Sequence, residues 1–197
     1  MRSIRGIHVA LISLAALLFV QGCHRKEAAE LAALKSAMEA TQLNLSKFDD
    51  LDFNVISNQK WDELGKSHAR DIVVHWPDGH STTGLDQHTH DLQAMFVWAP
   101  DLKISDHPIK VANGDWTAVT GVMQGTFSKP MPMPDGKNIA PTGKQFKLTM
   151  STFGHWKNGV MDEEYLFWDN QALNDQLGIG TKPTGKYQDP EEYINDK

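Results

Sequence analysis

The stretch QFKLTMSTFGHWKNGVMDEEYLFWDN, residues 145–170, decides the fold. Two runs rich in β-branched and aromatic residues flank Asn158-Gly159. Asn-Gly between such runs is the strongest local signal for a tight antiparallel hairpin. A loop centred on Gly159 puts Thr152 opposite Leu166. Side chains alternate along a strand, so Met150, Thr152, Gly154, Glu164, Leu166 and Trp168 share one face. Ser151, Phe153, His155, Tyr165, Phe167 and Asp169 share the other, and a one-residue slip would exchange the two sets.

Upstream, LKISDHPIKV and DWTAVTGVMQGTF flank a second turn at Asn113-Gly114, and residues 128–143, with four Pro and two Gly, form a connecting loop. The strand DIVVHW, residues 71–76, stops at Pro77-Asp78-Gly79. Helical patterns precede the strands. Residues 47–57 carry Phe48, Leu51 and Val55 on one face. A short helix after Asn58, the expected N-cap, carries Trp61 and Leu64. Another starts after Gly84 and ends before Pro100. Asp169 is placed to cap a last helix that stops at Gly178. Helices followed by antiparallel strands define an α+β domain. The expectation is a curved antiparallel sheet of four to six strands, wrapped around N-terminal helices and enclosing a pocket.

The chain has 197 residues, suited to one domain, and a formal net charge of −6. That balance argues against general nucleic-acid binding, which needs clustered Lys and Arg. One Cys excludes a disulfide framework and a Cys-rich zinc site. Residues 1–22 have the layout of an export signal: Arg2 and Arg5, then an apolar run from Ile7 to Val20 too short to span a bilayer. Val20-Gln21-Gly22-Cys23 resembles a bacterial lipobox. That resemblance implies cleavage before Cys23, lipid attachment to its sulfur and, with His24 following, residence on the periplasmic side of the outer membrane. The expected divisions are a signal peptide (1–22), a tether and helix (23–46), the main domain (47–179) and a loose tail (180–197). Leu31, Leu34 and Met38 give the tether helix a narrow apolar stripe, and the helix is read as lifting the domain off the membrane or docking on it.

The order of HWP, the Gly84-led helix, Pro100-Asp101-Leu102, Gly125-Thr126, the Gly159 hairpin and Asp169-x-x-x-Leu173-x-x-Gln176-Leu177-Gly178 resembles the SnoaL-like polyketide cyclase and ester cyclase family, a branch of the nuclear-transport-factor-2-like superfamily. The resemblance covers about residues 44–179. It implies a cone-shaped α+β domain with an apolar cavity and, in the cyclases, an intramolecular aldol closure without metal or organic cofactor. It also implies an acid/base Asp at the position of Leu166, an assisting His at Thr152 and an assisting Asn at Trp76. None of these three residues can do that chemistry.

The expected function is therefore an exported, membrane-anchored ligand-binding lipoprotein of the cell envelope. Its partner is a small apolar, polyketide- or ester-like molecule lodged against Trp76, Met150, Thr152, Leu166 and Trp168. The alternative is a cofactor-free cyclase or isomerase-type lyase with a relocated base, for which Glu164 and His75 are the candidates. A buried carboxyl has the raised pKa that proton abstraction from carbon needs. A Glu so near a hairpin end is also well placed to be solvated. Nine His suggest metal chemistry, but no His-x-x-x-His or His-Glu-x-x-His pair exists, and no metal is expected. The superfamily resemblance further suggests a homodimer through the sheet face bearing Phe153, Tyr165 and Phe167.

Overall fold

The computed structural model describes residues 4–180; the side chains of residues 1–23, Cys23 among them, and the tail 181–197 lie outside the described residues. One helix, α1, runs from Ile4 to Asp50 and continues into a π-helical segment, Leu51–Ile56, and a 3₁₀ segment, Trp61–Lys66. The leader and tether backbone are thus parts of a single rod, built from residues 27–45 that lack Gly and Pro and favour helix. Leu31, Leu34 and Met38 are exposed, so the stripe stands clear of the domain rather than docked on it. Among the described residues, no helix is long and apolar enough to cross a membrane.

Strand β1 (His68–His75) and β2 (Ser81–Thr83) precede α2 (Leu85–Trp98). Then follow β3 (Lys103–Ile104), β4 (Ile109–Asn113), β5 (Trp116–Thr126), β6 (Met131–Pro132), β7 (Asn138–Ile139), β8 (Gln145–Lys157), β9 (Val160–Phe167) and α3 (Asn170–Leu177). The main sheet has seven strands in the order β2-β1-β9-β8-β5-β3, with β4 also paired to β5. It exceeds the expected four to six strands because the run LKISDHPIKV splits at Ser105–Pro108 into β3 and β4 and because Ser81–Thr83 adds β2. It is mixed rather than wholly antiparallel, since β1 runs parallel to β9. The Pro-rich loop contains a small β6-β7 ribbon of its own.

Both expected hairpins form. Asn113 pairs with Trp116 across Gly114-Asp115. Lys157 pairs with Val160 across Asn158 and Gly159, at φ 54° and 80°, the two positive values that a type I′ turn requires. Lys47 donates to the Gly159 carbonyl and ties α1 to this turn. The register then shifts by one residue: Trp156 pairs with Met161, but His155 pairs with Glu163, leaving Asp162 as a bulge. Beyond it the expected partners are in place, including Thr152 with Leu166 and Gly154 with Glu164. The bulge is what turns Glu164 inward. Strict alternation from buried Met161 would put Glu163 on the inner face and Glu164 on the outer one.

Phe48, Leu51, Val55, Leu92, Phe96 and Trp98 from the helices pack against Ile72, Val74, Met123, Met150 and Leu166 of the sheet. The N-cap of α3 is Asp169, which accepts from the Ala172 N–H at 2.9 Å. Asn58 does not cap the 3₁₀ segment. Its amide donates instead to the carbonyls of Phe53 and Asn54, satisfying groups that the ending π segment leaves open.

Candidate functional site

A small cavity, partly open to solvent, lies between the helices and the inner sheet face. Trp76, Met150, Thr152, Leu166 and Trp168, the five expected pocket residues, all line it. Trp76 and Trp168 meet edge to face at 6.3 Å, and the Trp76 indole donates to Thr82 Oγ1 at 3.1 Å. Ile56 from the π segment, Leu92, Met95 and Phe96 from α2, and Met123 from β5 complete an apolar wall.

Glu164 does not take the solvated position open to it near a hairpin end. It lines the cavity at 4% exposure, held there by the bulge. Its carboxylate Oε2 lies 3.4 Å from His88 Nε2 and 3.7 Å from His68 Nε2. Burial raises the Glu164 carboxyl, but the His68 contact and the charges of His88 and His68 outweigh this and hold it below its usual value. Burial pushes His88 down to about 4, so its ring is neutral near pH 7. A carboxyl held below its usual value is the reverse of the raised-pKa base that proton abstraction needs.

His75 is not at the cavity. It belongs to the outer face, where Ser81 Oγ lies 2.8 Å from Nδ1, Glu163 Oε1 lies 2.9 Å from Nε2, and the ring stacks on Tyr165 at 4.1 Å. Alternation explains the placement: its neighbour Trp76 takes the inward position. Glu163, bonded by His75 and by the Tyr165 hydroxyl, is held below its usual carboxylate range. On the same outer face Phe153 and Phe167 are exposed and meet edge to face at 5.8 Å.

Asp52 is a cavity residue that no sequence motif marks. It sits in the π segment, buried, with its Oδ2 2.8 Å from His107 Nε2. His107 Nδ1 reaches Asp49 Oδ1 at 2.9 Å, and Lys110 Nζ donates to Asp49 Oδ2 at 2.8 Å. Burial raises Asp52 and outweighs the opposing effect of His107. Burial also opposes the charged form of His107, but its two aspartate partners raise it above its usual value. His68 and His107 escaped sequence reasoning because their partners lie far along the chain. His68 closes on Glu164 and His107 on Asp52 only through the sheet and the π segment.

A curved mixed sheet closed over helices around an apolar cavity is the cone of the nuclear-transport-factor-2-like class. The sequence pattern of the SnoaL-like polyketide cyclase family matches residues 51–177, and the chain belongs to that family. Wild-type IdmH, a candidate polyketide cyclase from Streptomyces antibioticus, superposes with a TM-score of 0.59 at 22% identity, covering 69% of this chain and 99% of that one. A candidate SnoaL-like polyketide cyclase from Jannaschia sp. CCS1 gives 0.62 at 15% identity, over 72% and 95% of the two chains. A candidate polyketide cyclase from Xanthomonas campestris pv. campestris gives 0.58 at 18% identity, over 70% and 98%. No curated protein matches the sequence.

Proposed function

We propose that this is an exported, lipid-anchored SnoaL-like protein that binds a small apolar, oxygen-bearing molecule in its cone cavity. The observation that carries this reading is the lining itself: Trp76, Met95, Phe96, Met150 and Leu166 offer apolar surface, while Asp52, His88 and Glu164 are the ionisable groups among the lining residues. Pockets of that composition bury a ligand's hydrocarbon and orient it through a few polar groups. Leu166 stands where the cyclase resemblance expects the acid/base Asp, which favours binding over Asp-dependent ring closure. The anchor is supported by Val20-Gln21-Gly22-Cys23 after an apolar run. Native mass spectrometry of full-length protein taken from membranes tests both parts. A copurified small apolar ligand and a diacylglyceryl mass lost in Cys23→Ser are expected. An empty cavity, or an unmodified Cys23, contradicts the corresponding part.

One observation favours catalysis as a second reading: Glu164 is buried in the cavity beside two imidazoles, two residues from Leu166 on the same face. A relocated acid/base there would give turnover that Glu164→Gln lowers by about 10²–10⁴-fold.

A further inference from the structure

His68 comes from the start of β1, His88 from α2 and Glu164 from β9, and one ligand atom of each lies within 4.8 Å of the other two. All three residues are buried. His68 Nε2, both ring nitrogens of His88 and Glu164 Oε2 are buried without a hydrogen-bond partner. Folded proteins leave few such atoms, because each costs about 1–3 kcal/mol of desolvation. Three of them, one from each residue, converge and can share one partner.

We infer that His68 Nε2, His88 Nε2 and Glu164 Oε2 form a binding site for a divalent transition-metal cation of the Zn²⁺ or Fe²⁺ kind. The separations support a shared ion better than direct bonding. At 3.4 and 3.7 Å, the two imidazole–carboxylate pairs are long for charge-assisted hydrogen bonds. They are close to the spacing of about 3.3–3.5 Å between neighbouring donors bound tetrahedrally at zinc distances of about 2.0–2.2 Å. Two imidazoles and one carboxylate are also the donor set of open zinc and non-haem iron sites.

The surroundings orient the donors. His68 Nδ1 lies 3.2 Å from the Leu64 carbonyl and 2.9 Å from Ser67 Oγ. A carbonyl only accepts, so the contact with Leu64 calls for an Nδ1–H and leaves the Nε2 lone pair facing the cluster. Among the described residues, the ion-pair partners of Glu164 are His68 and His88 alone, and no Lys or Arg compensates its charge. His88 and Glu164 line the cavity and His68 does not. A cation held by the three would therefore keep its open position toward the cavity. Short-motif reading misses this site because its ligands are dispersed along the chain on three elements. The inference goes beyond ligand binding and does not depend on it.

The test uses full-length protein stripped with a chelator, then titrated with Zn²⁺ by calorimetry and with Co²⁺ by visible absorption. One equivalent is expected to bind, with four-coordinate Co²⁺ bands and a Zn²⁺-dependent rise in melting temperature. His88→Leu, His68→Gln and Glu164→Gln should each weaken binding by more than about 100-fold, since even outer-shell changes cost 10–100-fold. His90→Gln, an exposed change on the same helix, should leave it intact. Each variant's melting transition in chelator confirms that it is folded. Absence of stoichiometric binding, or binding that survives in the folded His88→Leu and Glu164→Gln proteins, would overturn the site. Quenching of Trp fluorescence by apolar ligands in the chelated protein reports cavity binding separately. Its loss would overturn that reading and leave the cation site standing.

Discussion

Glu164 Oε2 stands 3.4 Å from His88 Nε2, and neither atom has a hydrogen-bond partner. The pair is held by the fold rather than by its own attraction. His88 is fixed by α2, and Glu164 is aimed inward by the bulge at Asp162. Such uncompensated polar groups cost stability, and sites of binding and catalysis are where proteins retain them.

The first prediction follows from that cost. His88→Leu removes two unpartnered buried ring nitrogens and supplies apolar surface to an apolar cavity. The chelated variant should be more stable than wild type by about 1–3 kcal/mol. Urea unfolding monitored by circular dichroism checks this. A lower midpoint would mean that the ring is satisfied in a way the geometry does not provide.

The second concerns the bulge. Deleting Asp162 leaves β9 able to keep either Met161 or the Glu164–Leu166 pair inward, but not both. Exposing either set costs at least the burial of one large apolar side chain, about 1.5–3 kcal/mol. The unfolding midpoint should fall accordingly, while Asp162→Ala, which keeps the extra residue, should stay within about 1 kcal/mol of wild type. A deletion as stable as the parent would show that the bulge does not set the face.

Much of this was legible in sequence. Asn158-Gly159 and the alternation of Met150, Thr152 and Leu166 mark the hairpin, its cross-strand pair and its inner face, because both signals are local and of period two. The inward turn of Glu164 was half legible. The expected register takes a loop centred on Gly159, whereas the turn itself is centred between Asn158 and Gly159, and the bulge makes up the difference. The placement of His75 failed on the same alternation, since Trp76 takes the inward position. Asp52, His68 and His107 carry no local signal. Their partners are brought to them by the parallel β1-β9 pairing and by the π segment, contacts that no short window contains.

The third prediction is a pH dependence. His107 faces Asp49 and Asp52 from the helical segment, and Lys110 of β4 holds Asp49; Glu164 and His68 act on Asp52 from the sheet side. The folded pKa of His107 lies above its ordinary value. Its contribution is therefore complete below about pH 6.5 and is lost as pH rises through the folded value. Asp52, also raised, contributes with the same sign. Melting temperature should fall in wild type as pH rises above about 6.5. His107→Gln should flatten that slope and cost about 3–5 kcal/mol, because it leaves buried Asp52 without its partner. An equal slope in the variant would assign the pH dependence to other groups.

The central claim is that the cone cavity receives a small apolar molecule beside Glu164. The most direct measurement is a titration of intrinsic Trp fluorescence with an apolar aromatic ketone, comparing wild type with Leu166→Trp, which fills the cavity from the sheet side. Trp76 and Trp168 line the cavity and report occupancy. The account predicts saturable quenching in wild type and none beyond collisional quenching in the folded, cavity-filled variant. Linear, non-saturating quenching in wild type, or the same saturable curve in both proteins, would contradict it.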